Sequence, residues 1–396
     1  MHLARTPGRF LAALVASLLA SPAQAAITFG TPDGWNLTVG GFVNGFVVSE
    51  SGDAAPHGDL YGRASKDSNL RIRTGLLPGL IGFTMAAPEV DGIKTAARVG
   101  FWPQINGNDG ARTTINGANI DLRELNFTVD GSFGQVMVGR ALALYQGKNI
   151  LTDMSLFGVG VSGPFQNGPT LGHIGIGYLY PSFLAQVRYT TPDLSGLKVA
   201  AAILDPSDVG GNPLNSSPTF EGELSYAGKS GSTSYQAWLS GVYQTSKLAS
   251  GTDVTSAGGA GGVGVGFSGL ELLASGFVGS TLGTTGVINS ADTLDPAEKG
   301  RTSAGALAQA AYTIGKVKLG VNYSRLSLTK TTADKAAAPS AIAGLLDSRQ
   351  AVTGGVWYEL VPSVKLVAEF TRADLKFADA TTQGSNTIAV GGFIFF

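Results

Sequence analysis

From Trp35 onward, apolar and polar residues alternate over stretches of 8 to 14 residues, broken by clusters of Gly, Asp, Ser, Asn and Pro. A period of two belongs to strands, whose successive side chains point to opposite faces. Trp35 to Val48 is the clearest opening case, with Leu37, Val39 and Val43 on one face and Asn36, Thr38 and Asn44 on the other. The same pattern predicts strands near 69–87, 92–103, 119–130, 133–140, 174–191, 196–204, 219–228, 231–244, 257–267, 270–281, 302–314, 316–328, 348–359, 363–374 and 386–396, about sixteen in all.

The connections alternate too. Short turns at Pro88 to Gly92, Asp130 to Ser132, Pro192 to Gly196, Ala227 to Gly231, Ser268-Gly269, Gly315 and Leu360 to Ser363 alternate with long segments, the longest running from 141 to about 173. Strands with one apolar face, short turns at one end and long loops at the other predict an all-β fold, a transmembrane antiparallel β-barrel in the outer membrane of a Gram-negative bacterium. Unpaired strand edges cost several kcal/mol per polar group in hydrocarbon, so the first and last strands must close on each other. Aromatic residues near strand ends, Trp35, Tyr178, Tyr180, Tyr189, Tyr226, Tyr312, Tyr323, Trp357, Tyr358, Phe393 and Phe395, are expected to form two interfacial girdles.

Composition narrows the alternatives. The chain is 43% hydrophobic and only 14% charged, with 57 glycines, yet no run of 18 apolar residues spans a bilayer as a helix. Residues 1–25 read as an export signal: Arg5 and Arg9 form the basic start, Phe10 to Ala20 the apolar core, and Ala23-Gln24-Ala25 the small-residue cleavage site. Residues 26–396 then make one barrel domain. Without Arg5 and Arg9, the 27 basic residues fall to 25 against 28 acidic, a net charge of −3, which excludes a nucleic-acid binder. The absence of cysteine rules out disulfides and thiolate metal sites, and no cofactor or metal is expected.

Catalytic signals are sparse. Of three histidines, His2 leaves with the signal, and His57 and His173 read as polar loop residues. Gly222 to Ser230 has one residue too many for a phosphate loop, and Ser162 and Ser268 each sit one residue short of a nucleophile elbow. No enzyme is expected. A barrel enzyme of lipase or protease type, a secreted adhesion or structural protein and a non-selective diffusion pore are the alternatives.

The informative cluster is basic. Arg71 and Arg73 share a face opposite Leu70 and Ile72, and an arginine turned to lipid at the bilayer midplane costs roughly 2 to 4 kcal/mol, so both should face the lumen. Lys94 and Arg98 have matching parity, and Arg188 lies between apolar Val187 and Tyr189. Phase changes near Arg123-Glu124: Ile120 and Leu122 share one parity, and Leu125, Phe127 and Val129 the other. A bulge there would bring Asp121, Arg123 and Glu124 inward. Arg140 follows the parity of Val136 and Val138 and is a candidate only because it opens the longest loop. That third long loop, carrying Lys148 and Asp153, is expected to fold inward and narrow the pore, facing the arginines across it. Arginines in a low-dielectric wall raise the local concentration of anions, which predicts a mild anion preference among small hydrophilic solutes.

The segments SNLRIRTGLLPG (68–79), GFW (100–102), NIDLRELNF (119–127), VGR (138–140), LTDMSLFGVG (151–160) and LGHIGIGYLYPSF followed by YTTP (171–192) resemble the DcaP-like trimeric porins. The resemblance implies a sixteen-strand homotrimeric channel with a loop-three constriction, favouring small anions such as dicarboxylates. Carried over by position, it makes Arg71, Arg73, Arg98, Arg123 and Arg188 pore-lining basics and Asp153 a loop-three residue. It also makes the terminal Phe396 the signal that the barrel-assembly machinery reads. Some members carry a helical extension before the barrel, whereas only about nine residues separate Ala26 from Trp35 here.

Overall fold

The computed structural model describes residues 26–57, 69–106, 120–163, 168–209, 217–288 and 292–396. The export signal expected over 1–25 lies outside them. In chain order the strands are β1 (Ile27–Gly30), β2 (Asn36–Gly52), β3 (Asn69–Arg73), β4 (Leu80–Ala86), β5 (Lys94–Pro103), β6 (Ile120–Gly131), β7 (Gly134–Leu142), β8 (Phe183–Thr190) and β9 (Leu197–Leu204). They continue as β10 (Thr219–Ser230), β11 (Thr233–Lys247), β12 (Asp253–Phe267), β13 (Leu270–Ser280), β14 (Thr302–Ile314), β15 (Val317–Thr329), β16 (Leu346–Val361), β17 (Val364–Phe377) and β18 (Thr382–Phe395). The described helices are short: α1 (Gly147–Leu151), α2 (Thr332–Ala336) and α3 (Pro339–Ile342), plus a 3-10 turn at Met154–Phe157.

Successive strands pair antiparallel, except that β3 and β4 both pair with β2, and β18 closes the sheet on β2 with Phe395 opposite Phe42 and Ser385 opposite Gly52. Eighteen segments make sixteen staves. On one edge of β2, β1 (Ile27 opposite Val39) prolongs the line of β18; on the other, β3 and β4 share one stave. Phe396 completes the seam, its N–H donating to Gly41 O at 3.0 Å and its carbonyl accepting from Gly41 N at 2.7 Å. The barrel is thus a closed, antiparallel, sixteen-stranded wall, and closure leaves no edge to face hydrocarbon.

Turn chemistry sets the short end. Phe267 pairs with Leu270 across a two-residue turn in which Ser268 and Gly269 both have positive φ, 49° and 87°, the geometry that matches strand twist in tight hairpins. Alternation then sorts the faces. Val352, Phe370, Ile388 and Val390 are exposed on the outer wall, and Thr353, Thr371, Thr387 and Ala389 are buried within.

The lumen is filled by packed loops rather than open throughout. An apolar cluster containing Tyr145, Ile176 and Leu179 from the β7–β8 connection, Leu282 and Ile288 from the β13–β14 connection, and wall residues such as Val242 and Leu326 lies inside the barrel. This explains two departures from the periodicity. The strand expected over 174–191 begins only at Phe183, because the alternating apolar residues before it pack inside the barrel. The strand expected over 69–87 is interrupted at 74–79, where the chain turns inward and Leu76 N donates to Gly158 O at 2.9 Å. Gly75 is needed at that crossing, since a Cβ there would lie 2.1 Å from Gly158 O.

Aromatic placement follows the same division. Trp35, Tyr189, Tyr226, Tyr312, Tyr323 and Tyr358 are exposed on the outer surface. Tyr178, Trp357 and Phe393 are buried inside, Tyr180 packs against the inward loop cluster, and Phe395, in register with inward Phe42, also faces inward, so these five leave the expected girdles. Their strand-end position in sequence did not reveal that an inward loop would need aromatic packing partners.

Candidate functional site

The β7–β8 connection, residues 143–182 and here termed L3, folds into the lumen and carries α1 and the 3-10 turn. The wall is prepared for it. Gln309, Asn322, Thr353, Thr371, Thr387 and Glu50 stand opposite one another in successive strands, forming one polar row across β14 to β18 and β2. L3 docks on this row. Gln309 Oε1 accepts from Met154 N at 3.0 Å, Ser162 Oγ donates to Glu50 Oε2 at 2.6 Å, and Thr353 Oγ1 is hydrogen-bonded to His173 Nε2 at 2.9 Å.

Two further wall carboxylates act as caps for loop backbone. Glu369 Oε2 accepts from Val159 N and Gly160 N at 2.6 and 3.0 Å, and Glu221 Oε2 from Leu144 N and Tyr145 N at 2.7 and 2.9 Å. Indole donors complete the fastening, Trp357 Nε1 to Phe157 O at 2.8 Å and Trp238 Nε1 to Asn149 Oδ1 at 3.1 Å. Every one of these wall residues lies on the inward parity of its strand. Buried loop backbone must find partners, and the wall supplies them.

Asp153, expected to face the pore, is instead fully enclosed. Its carboxylate accepts from His173 Nδ1 at 3.0 Å, from Tyr178 Oη at 2.6 Å and from Ser155 N at 2.9 Å. Burial pushes the Asp153 carboxyl up, but the charge and hydrogen bond of His173, with the bonds from Tyr178 and Ser155, hold it below the ordinary range. The sequence reading took His173 for a polar loop residue; in the structure it is the buried link between Asp153 and β16. The available signal was its setting in LGHIGIG, since a histidine among apolar residues needs a partner for each nitrogen.

The expected basic residues separate into three groups. Arg71 and Arg73 are on the inward row, opposite Val48 and Phe46, and Arg73 is buried, donating to Gly168 O and Pro169 O of L3 at 2.7 and 3.1 Å. Arg98, Arg123 and Arg188 also point inward, each engaged by its neighbours. Arg98 forms a two-pronged pair with Glu124 at 2.9 and 3.0 Å. The register slips by one at Arg123, which bonds Asp121 at 2.9 Å and lies over the rings of Trp102 and Phe183 at 5.4 and 5.7 Å. Arg188 donates to Gln186 Oε1 at 2.7 Å and to Leu142 O.

Arg140 and Lys94 form the third group, and the structure removes both from the constriction. Arg140 is exposed, in register with outward Leu125 and with Ala185. Lys94 is exposed where β5 begins, 3.4 Å from Glu89 across the short turn. Parity alone put Lys94 with Arg98, but height along the barrel, which parity does not carry, separates them. Lys148, expected on the inward loop, lies on α1 3.6 Å from Glu223, and one cation was overlooked as a pore residue, Lys365 of β17, whose Nζ lies over the rings of Phe157 and Phe395. Among the described residues no cluster of His, Cys, Asp and Glu has the arrangement to hold a metal ion.

In solved structures the same architecture recurs. The outer membrane channel DcaP of Acinetobacter baumannii aligns with a TM-score of 0.70 at 13% identity, over 93% of this chain and 99% of that one. The anion-selective porin from Comamonas acidovorans aligns at 0.61 and 14%, over 91% and 100%. The trimer form of OmpT from Vibrio cholerae aligns at 0.51 and 14%, over 91% and 99%. No curated protein matches the chain by sequence. The profile of the Gram-negative porin family matches residues 11–378. A closed sixteen-strand barrel of the outer membrane, with its third long loop strapped inside, belongs to the Gram-negative porin family.

Proposed function

We propose that this porin works as a homotrimer and lets small hydrophilic solutes diffuse passively, with a mild preference for small anions, dicarboxylates among them. The observation that carries the reading is L3 itself, fastened by wall side chains along its length so that it narrows the barrel permanently. A fixed constriction sieves by size, and its charge then biases what passes. The preference is mild because Arg98 and Arg123 are each matched by a carboxylate on the same wall. The trimeric state of the Vibrio cholerae relative supports the assembly.

The Ser155, His173 and Asp153 cluster supports a structural role rather than catalysis. Ser155 Oγ and Asp153 both address Nδ1 of His173, whereas a nucleophile must sit on the nitrogen opposite its orienting acid, and here Thr353 occupies Nε2. Reversal potentials of the purified protein in planar bilayers under a potassium chloride gradient test the channel reading. Weak anion selectivity is expected; cation selectivity would reject the preference, and an absence of conductance would reject the channel.

A further inference from the structure

Lys365 is a lumenal cation held by aromatic rings, with no ion pair among the described residues. It stands just past the short β16–β17 turn, in register with inward Phe393. Its ammonium lies 4.9 Å from the ring centre of Phe157 and 5.7 Å from that of Phe395. Phe157 ends the 3-10 turn of L3 and Phe395 ends β18, so the charge sits where the constriction loop meets the short-turn end of the barrel. Phe42 and Phe393 pack edge-on against Phe157 at 6.2 and 5.5 Å and hold that ring in place.

Aromatic faces attract a cation through their quadrupole without cancelling its charge. A carboxylate does cancel it, and Arg98, Arg123 and Lys318 each have one, Glu124, Asp121 and Glu271. Among the described residues no carboxylate stands within ion-pairing distance of Lys365. The charges that act on it are Lys318, already held by Glu271 at 2.6 Å, and Glu359, its cross-strand neighbour on β16, which makes no ion pair with it. A fixed, ring-held ammonium at the exit of a narrowing presents a steady positive potential to any solute leaving L3.

We propose that Lys365 is the specificity-determining residue that contacts anions below L3, and that it, rather than the carboxylate-matched arginines, sets the sign of the charge preference. The ligands are small carboxylates and inorganic anions such as chloride. This rests on the anion-preferring channel proposed above, and the experiment separates the two. Chloride-to-potassium permeability ratios are measured for the full-length wild type, Lys365→Gln, Lys365→Arg and, as a comparison, Arg98→Gln with Glu124→Gln. Heat-modifiable gel migration first confirms that each variant is folded. We expect a wild-type ratio above one, a fall of about twofold or more in Lys365→Gln, retention in Lys365→Arg, and little change in the paired double variant. A wild type with no anion preference overturns both readings. An anion-selective wild type whose ratio is unchanged in Lys365→Gln overturns this inference alone.

Discussion

His173 of L3 and Thr353 of β16 meet on the inner face of the wall, Nε2 and Oγ1 hydrogen-bonded at 2.9 Å while Nδ1 serves Asp153 on the loop itself. Thr353 is tied in turn to Thr371 of β17 at 2.9 Å. One chain of polar contacts therefore runs from the turn of L3 into two adjoining strands. It makes the constriction part of the wall.

Breaking that chain should loosen the loop. His173→Ala leaves Asp153 buried without its main counter-charge, and removing one partner of a buried pair costs about 3 kcal/mol or more. We expect a lower thermal unfolding midpoint and noisier open-channel current, read by calorimetry in detergent and by single-channel recording. Unchanged current noise would show that L3 does not depend on this contact.

The Arg98 and Glu124 pair should behave as a unit. Glu124 is almost fully buried, so Arg98→Ala leaves a carboxylate uncompensated at a cost of about 3 kcal/mol, whereas Arg98→Ala with Glu124→Ala removes the problem. Denaturant unfolding of both singles and the double forms a cycle, and coupling of about 1 kcal/mol or more is expected. Additive effects would contradict the pairing.

Low pH should release an outer-loop contact before the barrel opens. Arg301 donates to Asp334 at 2.7 and 2.9 Å, joining the β13–β14 connection to α2. The Arg301 hydrogen bond, aided by Thr331, holds the Asp334 carboxyl at about 2 against burial. A depressed carboxyl stabilises fully above its ordinary value of about 4 and loses that contribution as pH falls through about 2. Proteolysis of the outer loops by pepsin should therefore rise between about pH 4 and 2, and Asp334→Asn should abolish the step.

Deleting Phe396 should impair closure. Its two backbone bonds to Gly41 seal the junction of β18 with β2, beside Ala26 at the start of β1. Refolding into detergent, followed by heat-modifiable migration, should give a lower folded yield for the truncated chain, whereas Phe396→Tyr keeps both bonds and should fold normally. Equal yields would place the closing strength elsewhere along the eleven paired positions of β18 with β2.

Much of this was legible in residue order. Alternation located sixteen staves because each strand separates lipid from lumen, and any residue on the wrong parity is penalised at once. The phase change at Arg123 announced the register slip because a bulge moves exactly one residue out of step, and Asp121, Arg123 and Glu124 do all lie inward. Phe393 and Phe395 were misassigned for the opposite reason: their parity was readable, but the apolar loop awaiting them inside was not.

What the sequence by itself determined is the barrel, its strand number, the faces of its arginines and the identity of the long third loop, since these follow from periods and lengths. Tertiary structure decided the rest. Which of the inward arginines meet a carboxylate, why Asp153 is buried, why His173 links a loop to a strand 180 residues away and why Lys365 stands over Phe157 all depend on where a non-repeating loop comes to rest. No local pattern encodes that position, because it is set by contacts between residues far apart in the chain that closure of the barrel brings together.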